Sequence, residues 1–273
     1  MSKTAKKTRP AKAARPVKSP QNAASIVEKT AEAIAFRIVS GKYAANERLP
    51  SVRKLAEEFG INPSTVQVVL AHLESSGFVT PRQGLGFLVR DVERFGGIPT
   101  WRYVFRFAQF VPEKAAKIYE DLLDMRVVLI AEALEKIAED PKRYDPSSVR
   151  GAVEKLDLLI TTEPQNIREI ARAELHATRL LMLAAGQSVV TAVLNSIGEI
   201  YLDVPVVLKA MYAELPKNRF IWRTLLLQWE RGQFSSKAIP QLRTLLRQYD
   251  EGILERFRKM VSSPEYRPAA VAG

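Results

Sequence analysis

Apolar residues in the first ninety positions follow helical spacing three times. In residues 24–39 the apolar side chains fall on one stripe of a helix, and Gly41 ends this helix. A short helix is expected over 52–59. Asn62 then caps a third helix, in which Pro63 takes the first position, where a missing N–H costs nothing. The pattern therefore predicts three consecutive helices.

A different pattern follows the third helix. Within 78–89, two short apolar segments flank a turn formed by residues 83–86, which contains two glycines, and this predicts a β-hairpin. Three helices followed by a hairpin are the plan of a winged helix-turn-helix. Residues 91–100 hold two glycines and a proline, which is typical of a linker.

Every apolar run beyond this linker has helical spacing, and none alternates like a strand. We therefore predict a mainly α protein, with an N-terminal winged helix-turn-helix that includes a small β-hairpin and a C-terminal antiparallel helical bundle. Prolines and glycines separate the predicted runs, which cover 101–111, 113–139, 146–161, 165–185, 188–213, 217–231 and 236–261.

These patterns divide the chain into five expected parts. They are a disordered basic tail over 1–20, a winged helix-turn-helix domain over 21–90, a linker over 91–100, an all-helical domain for effector binding and dimerisation over 101–263, and a C-terminal tail over 264–273.

Composition and charge narrow the range of functions. The chain has no cysteine, which excludes disulfides, thiolate metal sites and a cysteine nucleophile. It has only two histidines. Its net charge of +11 favours a polyanionic partner. Residues 1–20 hold seven basic and no acidic residues, so the tail is either a solvated extension or an arm that raises affinity for any DNA through counterion release. No apolar run reaches membrane-spanning length, so a cytoplasmic protein without a membrane partner is expected.

Residues 37–89 carry a specific set of features. They are the SGK turn, the LPS triplet before the second helix, Leu55-Ala56, Thr65-Val66, Leu73, Gly77 and a wing that contains glycine. This set resembles the DNA-binding domain of GntR-family transcription regulators. The alternative is an ordinary packed helix in a winged domain that does not bind DNA.

The resemblance implies double-stranded DNA as a partner. The third helix would lie in the major groove with its N-terminal residues at the base edges, and the wing would reach the flanking backbone or minor groove. Many family members carry arginine at the positions of Pro63 and Gln67, so this operator should differ from theirs. The predicted DNA-binding residues are Arg53, Asn62, Ser64, Thr65, Gln67, Arg82, Gln83 and Gly84.

Three segments of the helical half, 121–129, 173–201 and 245–260, are similar to the all-helical effector domain of the FadR-type branch. That resemblance implies a ligand pocket with apolar walls. Arg126 either faces this pocket or extends to the surface, and each other position could instead be plain core or rim. The predicted effector-binding residues are Arg126, His176, Asn195, Tyr201, Trp222, Tyr249 and Phe257.

Many relatives of this effector domain bind a metal through one aspartate and three histidines. Here His176 stands alone, and Arg172 takes the place of the aspartate. The later histidines fall at or near Trp222 and Glu251, or Asp250 if the alignment is displaced by one residue. We therefore expect no metal and no other cofactor. No set of catalytic residues stands out, so the chain is predicted not to be an enzyme.

The leading functional hypothesis is a ligand-responsive transcription regulator that binds a palindromic operator as a homodimer. A long-chain acyl-CoA comes first as effector, with Arg126 as the anion contact, although Asp250 and Ile253 could narrow the cavity or repel an anion. A carboxylate metabolite is the alternative effector. A structural protein that coats DNA without small-molecule control is the alternative function.

Overall fold

The structure is a computed structural model that describes residues 20–140 and 142–263. Both predicted tails lie outside the described residues, apart from Pro20. The architecture matches the predicted fold class, with a winged helix-turn-helix followed by a helical domain.

The N-terminal half consists of three helices and a hairpin. They are α1 (Pro20–Val39), α2 (Val52–Phe59), α3 (Pro63–Ser75), β1 (Val79–Arg82) and β2 (Gly86–Val89). The Ser51 hydroxyl caps α2 by accepting from the Lys54 amide at 3.3 Å. Asn62 occupies the N-cap position of α3, but its side chain makes no capping hydrogen bond, contrary to the prediction. Its backbone carbonyl instead accepts from the Val66 amide at 3.1 Å.

The hairpin is antiparallel and pairs Val79 with Val89 and Arg82 with Gly86. Arg48, in the turn after α1, forms an isolated bridge with Leu88 on the outer side of β2. The wing is therefore supported on both edges of β2.

The predicted linker contains two helices, α4 (Val92–Phe95) and the start of α5 (Ile98–Arg106). Thr100 is completely buried, and its hydroxyl donates to the Ser76 carbonyl at 2.6 Å. This segment therefore packs against the winged domain.

The helical half continues through seven further α-helices over the described residues. They are α6 (Pro112–Glu139), α7 (Ser147–Thr162), α8 (Ile167–Ala184), α9 (Ser188–Asp203), α10 (Pro205–Met211), α11 (Leu215–Glu230) and α12 (Ile239–Ser262). The predicted single run over 188–213 is wrong, because it divides into α9 and α10. Pro205 disfavours the helical conformation at Val204, which is extended, and it has no amide hydrogen to donate back to α9.

The helix α5 and the residues just after it lie between the two halves. Phe107 packs edge-to-face on Phe36 of α1, with ring centroids 5.2 Å apart. Phe105 packs in the same way on Tyr119 of α6, at 5.9 Å. One continuous apolar core therefore runs from the winged domain into the helical domain.

Over the described residues, no single helix is long and apolar enough to cross a membrane. Only α9 and α10 together, bent by 100° at their junction, reach the required length and composition.

Candidate functional site

The first candidate site is the outer surface of α2 and α3. Helix α3 buries Val66, Val69 and Leu70 and leaves the side chains of Ser64 and Gln67 exposed. Because buried and exposed positions alternate at helical spacing, one face is free over the whole helix. This face has the form of a recognition helix whose N-terminal residues are accessible.

Arg53 stands at the start of α2 with 89% of its side chain exposed. Its Nε donates to Glu57 Oε1 at 3.2 Å, one turn along the same helix. A pair this exposed contributes little to stability, so the guanidinium can exchange Glu57 for a phosphate or a base edge.

The wing presents Arg82, Gln83 and Gly84 to solvent. Gly84 and Gly86 have φ angles of +75° and +85°, a region that side chains disfavour, so glycine permits the tight turn here. A Cβ on Gly86 would lie 3.8 Å from Arg48 Nε. The turn therefore brings a second exposed arginine, Arg48, beside the wing.

The second candidate site is a pocket between the helices of the C-terminal half. Its lining is mainly apolar with a few polar side chains, a composition typical of small-molecule sites. Five helices supply most of its walls, namely α6, α8, α9, α11 and α12. Its apolar lining is formed by Leu122, Met125, Leu129, Ile130, Leu134, Leu175, Leu181, Leu194, Ile197, Met211, Ile221, Leu225, Leu242 and Leu246.

Polar side chains are few in this pocket. Arg126 lines the pocket and forms an ion pair with Asp250 of α12, which is not itself a lining residue. The Arg126 Nε and the Asp250 Oδ2 have no hydrogen-bond partner among the described residues. Burial outweighs the attraction of Arg126 and raises the pKa of Asp250 to about 6, so this carboxyl is mostly ionised at neutral pH.

Glu174 of α8 is the second buried carboxylate of the pocket, with 9% of its surface exposed. Its Oε1 accepts from Asn218 Nδ2 at 2.9 Å and from Trp222 Nε1 at 3.0 Å. Its Oε2 makes no hydrogen bond of ordinary geometry, and neither does Asn218 Oδ1. Burial and the neighbouring Glu174 carboxylate raise the pKa of Tyr212.

A family model described as bacterial regulatory proteins, gntR family, matches residues 26–89. The N-terminal domain is thus similar to the DNA-binding domain of the gntR family. The residues matched span the whole of α2, α3 and the hairpin, and therefore the exposed recognition surface described above.

Curated relatives of this chain are named as transcription regulators. The chain is 31% identical over 140 residues to the HTH-type transcriptional regulator Mce2R of Mycobacterium tuberculosis, covering 51% of this chain and 55% of the relative. The uncharacterized HTH-type transcriptional regulator Mb0601 of Mycobacterium bovis matches with the same identity and coverage. The chain thus spans about half the length of these relatives.

A solved structure resembles this chain over most of its length. It is that of Lar, which controls the expression of the Listeria monocytogenes agr system and mediates virulence. The TM-score is 0.52 at 13% identity, over 90% of this chain and 100% of that chain. At this identity, the likeness shows the fold alone.

The predicted effector residues divide into two groups. Arg126, Tyr201, Trp222 and Tyr249 line the pocket. The structure places the other three outside it: His176 is exposed, Asn195 is exposed and accepts from Arg179, and Phe257 is buried against Phe105 and Tyr119.

Helix geometry explains why His176 was wrongly placed. The pocket face of α8 carries Glu174, Leu175, Thr178 and Leu181. Successive residues of an α-helix are about 100° apart around its axis, so His176 lies about 100° beyond Leu175 and off that face. It is therefore neither a pocket residue nor a core histidine.

Sequence reasoning missed several residues at both sites. Arg48 and Val68 are exposed on the DNA-binding domain, and Val68 adds a methyl-bearing surface to α3. In the pocket, Glu174 and Asn218 were missed. Glu174 is a charged residue within an apolar helical stripe, and this pattern could have indicated its place in the pocket.

The metal question concerns the same helices. Arg172, in place of the expected aspartate, pairs with Glu169 at the surface of α8. Among the described residues, no three histidine, aspartate or glutamate side chains are grouped as metal ligands would be.

Proposed function

We propose that the chain is a ligand-responsive transcription regulator. The GntR-type domain binds an operator, and a small molecule in the helical pocket alters that binding. The observation that carries this proposal is a continuous set of contacts from the recognition helix to the pocket.

The contacts begin at α3. His72 Nε2 lies 2.9 Å from the Tyr103 hydroxyl of α5, and Phe105, two residues further along α5, packs on Tyr119. The Tyr119 ring in turn lies 6.4 Å from Tyr201, which lines the pocket. Ion pairs from Arg106 to Glu28 and Glu32 also tie the end of α5 to α1. A ligand that moves Tyr201 therefore has a packed route to the DNA-binding surface.

The DNA contacts of this proposal are the exposed residues of α2, α3 and the wing. They are Arg53, Asn62, Ser64, Thr65, Gln67, Arg82, Gln83 and Gly84, together with Arg48. All are exposed except the half-buried Thr65, and they form a basic and polar surface.

A palindromic operator would need two copies of the chain, because each winged domain reads one half-site. The helical half leaves Leu158 of α7 and Phe220 and Leu227 of α11 exposed, and α7 packs against α11. This apolar surface supports a homodimer of the FadR type. Light scattering on the full chain, and on a Phe220→Glu variant, tests it: a monomeric parent chain contradicts the homodimer.

The effector is proposed as an amphipathic molecule. The apolar walls suit an acyl chain, which keeps a long-chain acyl-CoA as the first ligand to test and a carboxylate metabolite as the second. Arg126 was the expected anion contact, but Asp250 already neutralises it. An anionic head group would therefore have to displace Asp250 or bind at the mouth of the pocket.

The test begins with an operator selected from random duplexes. Acyl-CoAs of increasing chain length, carboxylate metabolites and neutral apolar molecules are titrated into the complex, and DNA release is followed by fluorescence anisotropy. Release by any of them in a saturable manner supports ligand control. DNA binding that no small molecule changes, with little sequence preference, would instead favour the structural DNA-coating role.

A further inference from the structure

The pocket contains few charged side chains. Arg126 is its one cation among the described lining residues, and this cation is already paired with Asp250. Glu174 is a second carboxylate in the same region. Arg126 interacts with it only through longer-range attraction, and its ion pair is with Asp250. Because Arg126 is already paired with Asp250, Glu174 has no cation of its own in the pocket among the described residues.

An uncompensated buried carboxylate is unfavourable without a partner. Glu174 Oε1 accepts from two neutral donors, the Asn218 amide and the Trp222 indole, and the Tyr212 hydroxyl is a third neutral group beside this carboxylate. Among the described residues, neither Oε2 nor Asn218 Oδ1 has a hydrogen-bond partner of ordinary geometry. A ligand can satisfy both only if it brings hydrogen-bond donors.

The aromatic residues of the pocket point to the same chemistry. Tyr201, Tyr212, Trp222 and Tyr249 all line it together with Glu174. Aromatic faces attract cations, and they do so more strongly where water is excluded. A carboxylate within an aromatic lining is the arrangement that holds organic ammonium groups.

We propose that this pocket selects a ligand whose apolar body carries a protonated nitrogen, with Glu174 as its counter-ion and Asn218 Oδ1 as a second acceptor. The apolar body would occupy the leucine- and isoleucine-lined part of the pocket, between α6, α8 and α12. This inference rests on the pocket being the effector site proposed above, and it replaces an anionic head group by a cationic one.

Three probes with the same eight-carbon chain test the charge preference. They are octylammonium, octanoate and 1-octanol, each titrated into the full chain without DNA below its micelle concentration, with binding followed by calorimetry. We expect octylammonium to bind at least tenfold more tightly than octanoate. The net charge of +11 favours the anion non-specifically, so overall charge cannot produce this preference.

Glu174→Gln is the decisive variant. It removes the charge but keeps an oxygen that can accept from Asn218 and Trp222. We expect a tenfold or greater loss of octylammonium affinity and little change for octanol. Glu169→Gln is the matched control, because 44% of the Glu169 side chain is exposed on the same helix and, among the described residues, its ion pair is with Arg172. It should bind all three probes within twofold of the parent.

The results separate the two proposals. Octanoate binding as tightly as octylammonium, no octylammonium binding up to millimolar concentration, or unchanged affinity in Glu174→Gln would overturn the charge selection. Because the probes are titrated without DNA, ligand control is judged separately in the release assay. Octylammonium is added to the same release assay; if it binds through Glu174 but leaves the operator complex intact, the charge selection is retained and ligand control rests on the other ligands tested there.

Discussion

The DNA-facing surface and the helical pocket place arginine in opposite settings. Arg53 projects from α2 with 89% of its side chain exposed, whereas 17% of the Arg126 side chain is exposed and it is bound to Asp250. The exposed arginine can exchange its partner for DNA at little cost. The buried one is held by Asp250, whose ion pair among the described residues is with this arginine. The same residue type is therefore free to bind a partner in one region and is fixed in the pocket wall in the other.

The largest expected effect comes from breaking the buried pair. Arg126→Ala leaves the Asp250 carboxylate buried without its cation, so the free energy of unfolding should fall by about 3–5 kcal/mol. The double variant Arg126→Met, Asp250→Leu removes both charges and should recover most of this loss. Urea unfolding of both variants measures the effect. Equal losses in the single and double variants would contradict a role for the pair.

The exposed arginine should show the reverse behaviour. Arg53→Ala should weaken operator binding by about 1–3 kcal/mol and leave the free energy of unfolding almost unchanged, because its ion-pair partner among the described residues is the exposed Glu57. Anisotropy with the selected operator gives the dissociation constant. Arg231→Ala removes the same charge from an exposed site on the helical domain. If both variants weakened binding equally, net charge and not the α2 surface would explain the loss.

A smaller effect is expected at the junction between the two regions. Tyr103→Phe removes the hydrogen bond to His72 and should lower the free energy of unfolding by about 1 kcal/mol. Tyr119→Phe is the matched control, since that buried hydroxyl has no hydrogen-bond partner among the described residues, and its removal should cost nothing. Thermal unfolding of both variants is the measurement. A greater loss in Tyr119→Phe would show that this bond is not what joins the halves.

The smallest expected effect is a pH dependence of folding stability that arises from Asp250, next to the pocket. The pKa of Asp250 is raised by burial to about 6, so the folded protein binds this proton more tightly than the unfolded chain does. Its stabilising contribution is full below the ordinary aspartate pKa and is lost as the pH rises through about 6. Lowering the pH from 7 to 6 should stabilise the parent chain, relative to Asp250→Asn, by roughly a few tenths of a kcal/mol. A parent chain destabilised relative to that variant would reverse the sign and reject the raised pKa.

Local signals were enough to predict the winged domain. The order of helices and hairpin, the cap at Ser51 and the exposed face of α3 all follow from short-range spacing, because each depends on residues within about one turn of one another. The division of the long run at Pro205 could also have been predicted, since proline restricts the residue that precedes it.

The pocket could be predicted only in part. The sequence itself determined that the helical half has apolar faces to bury and that Arg126 lies on one of them. Only the tertiary structure decided that Asp250, 124 residues away, would pair with that arginine, and that Glu174 would meet Asn218 and Trp222. The physical reason is that periodicity fixes which face of a helix is buried. Which side chains meet across the core, and thus which charges are compensated, depends on how five helices pack together.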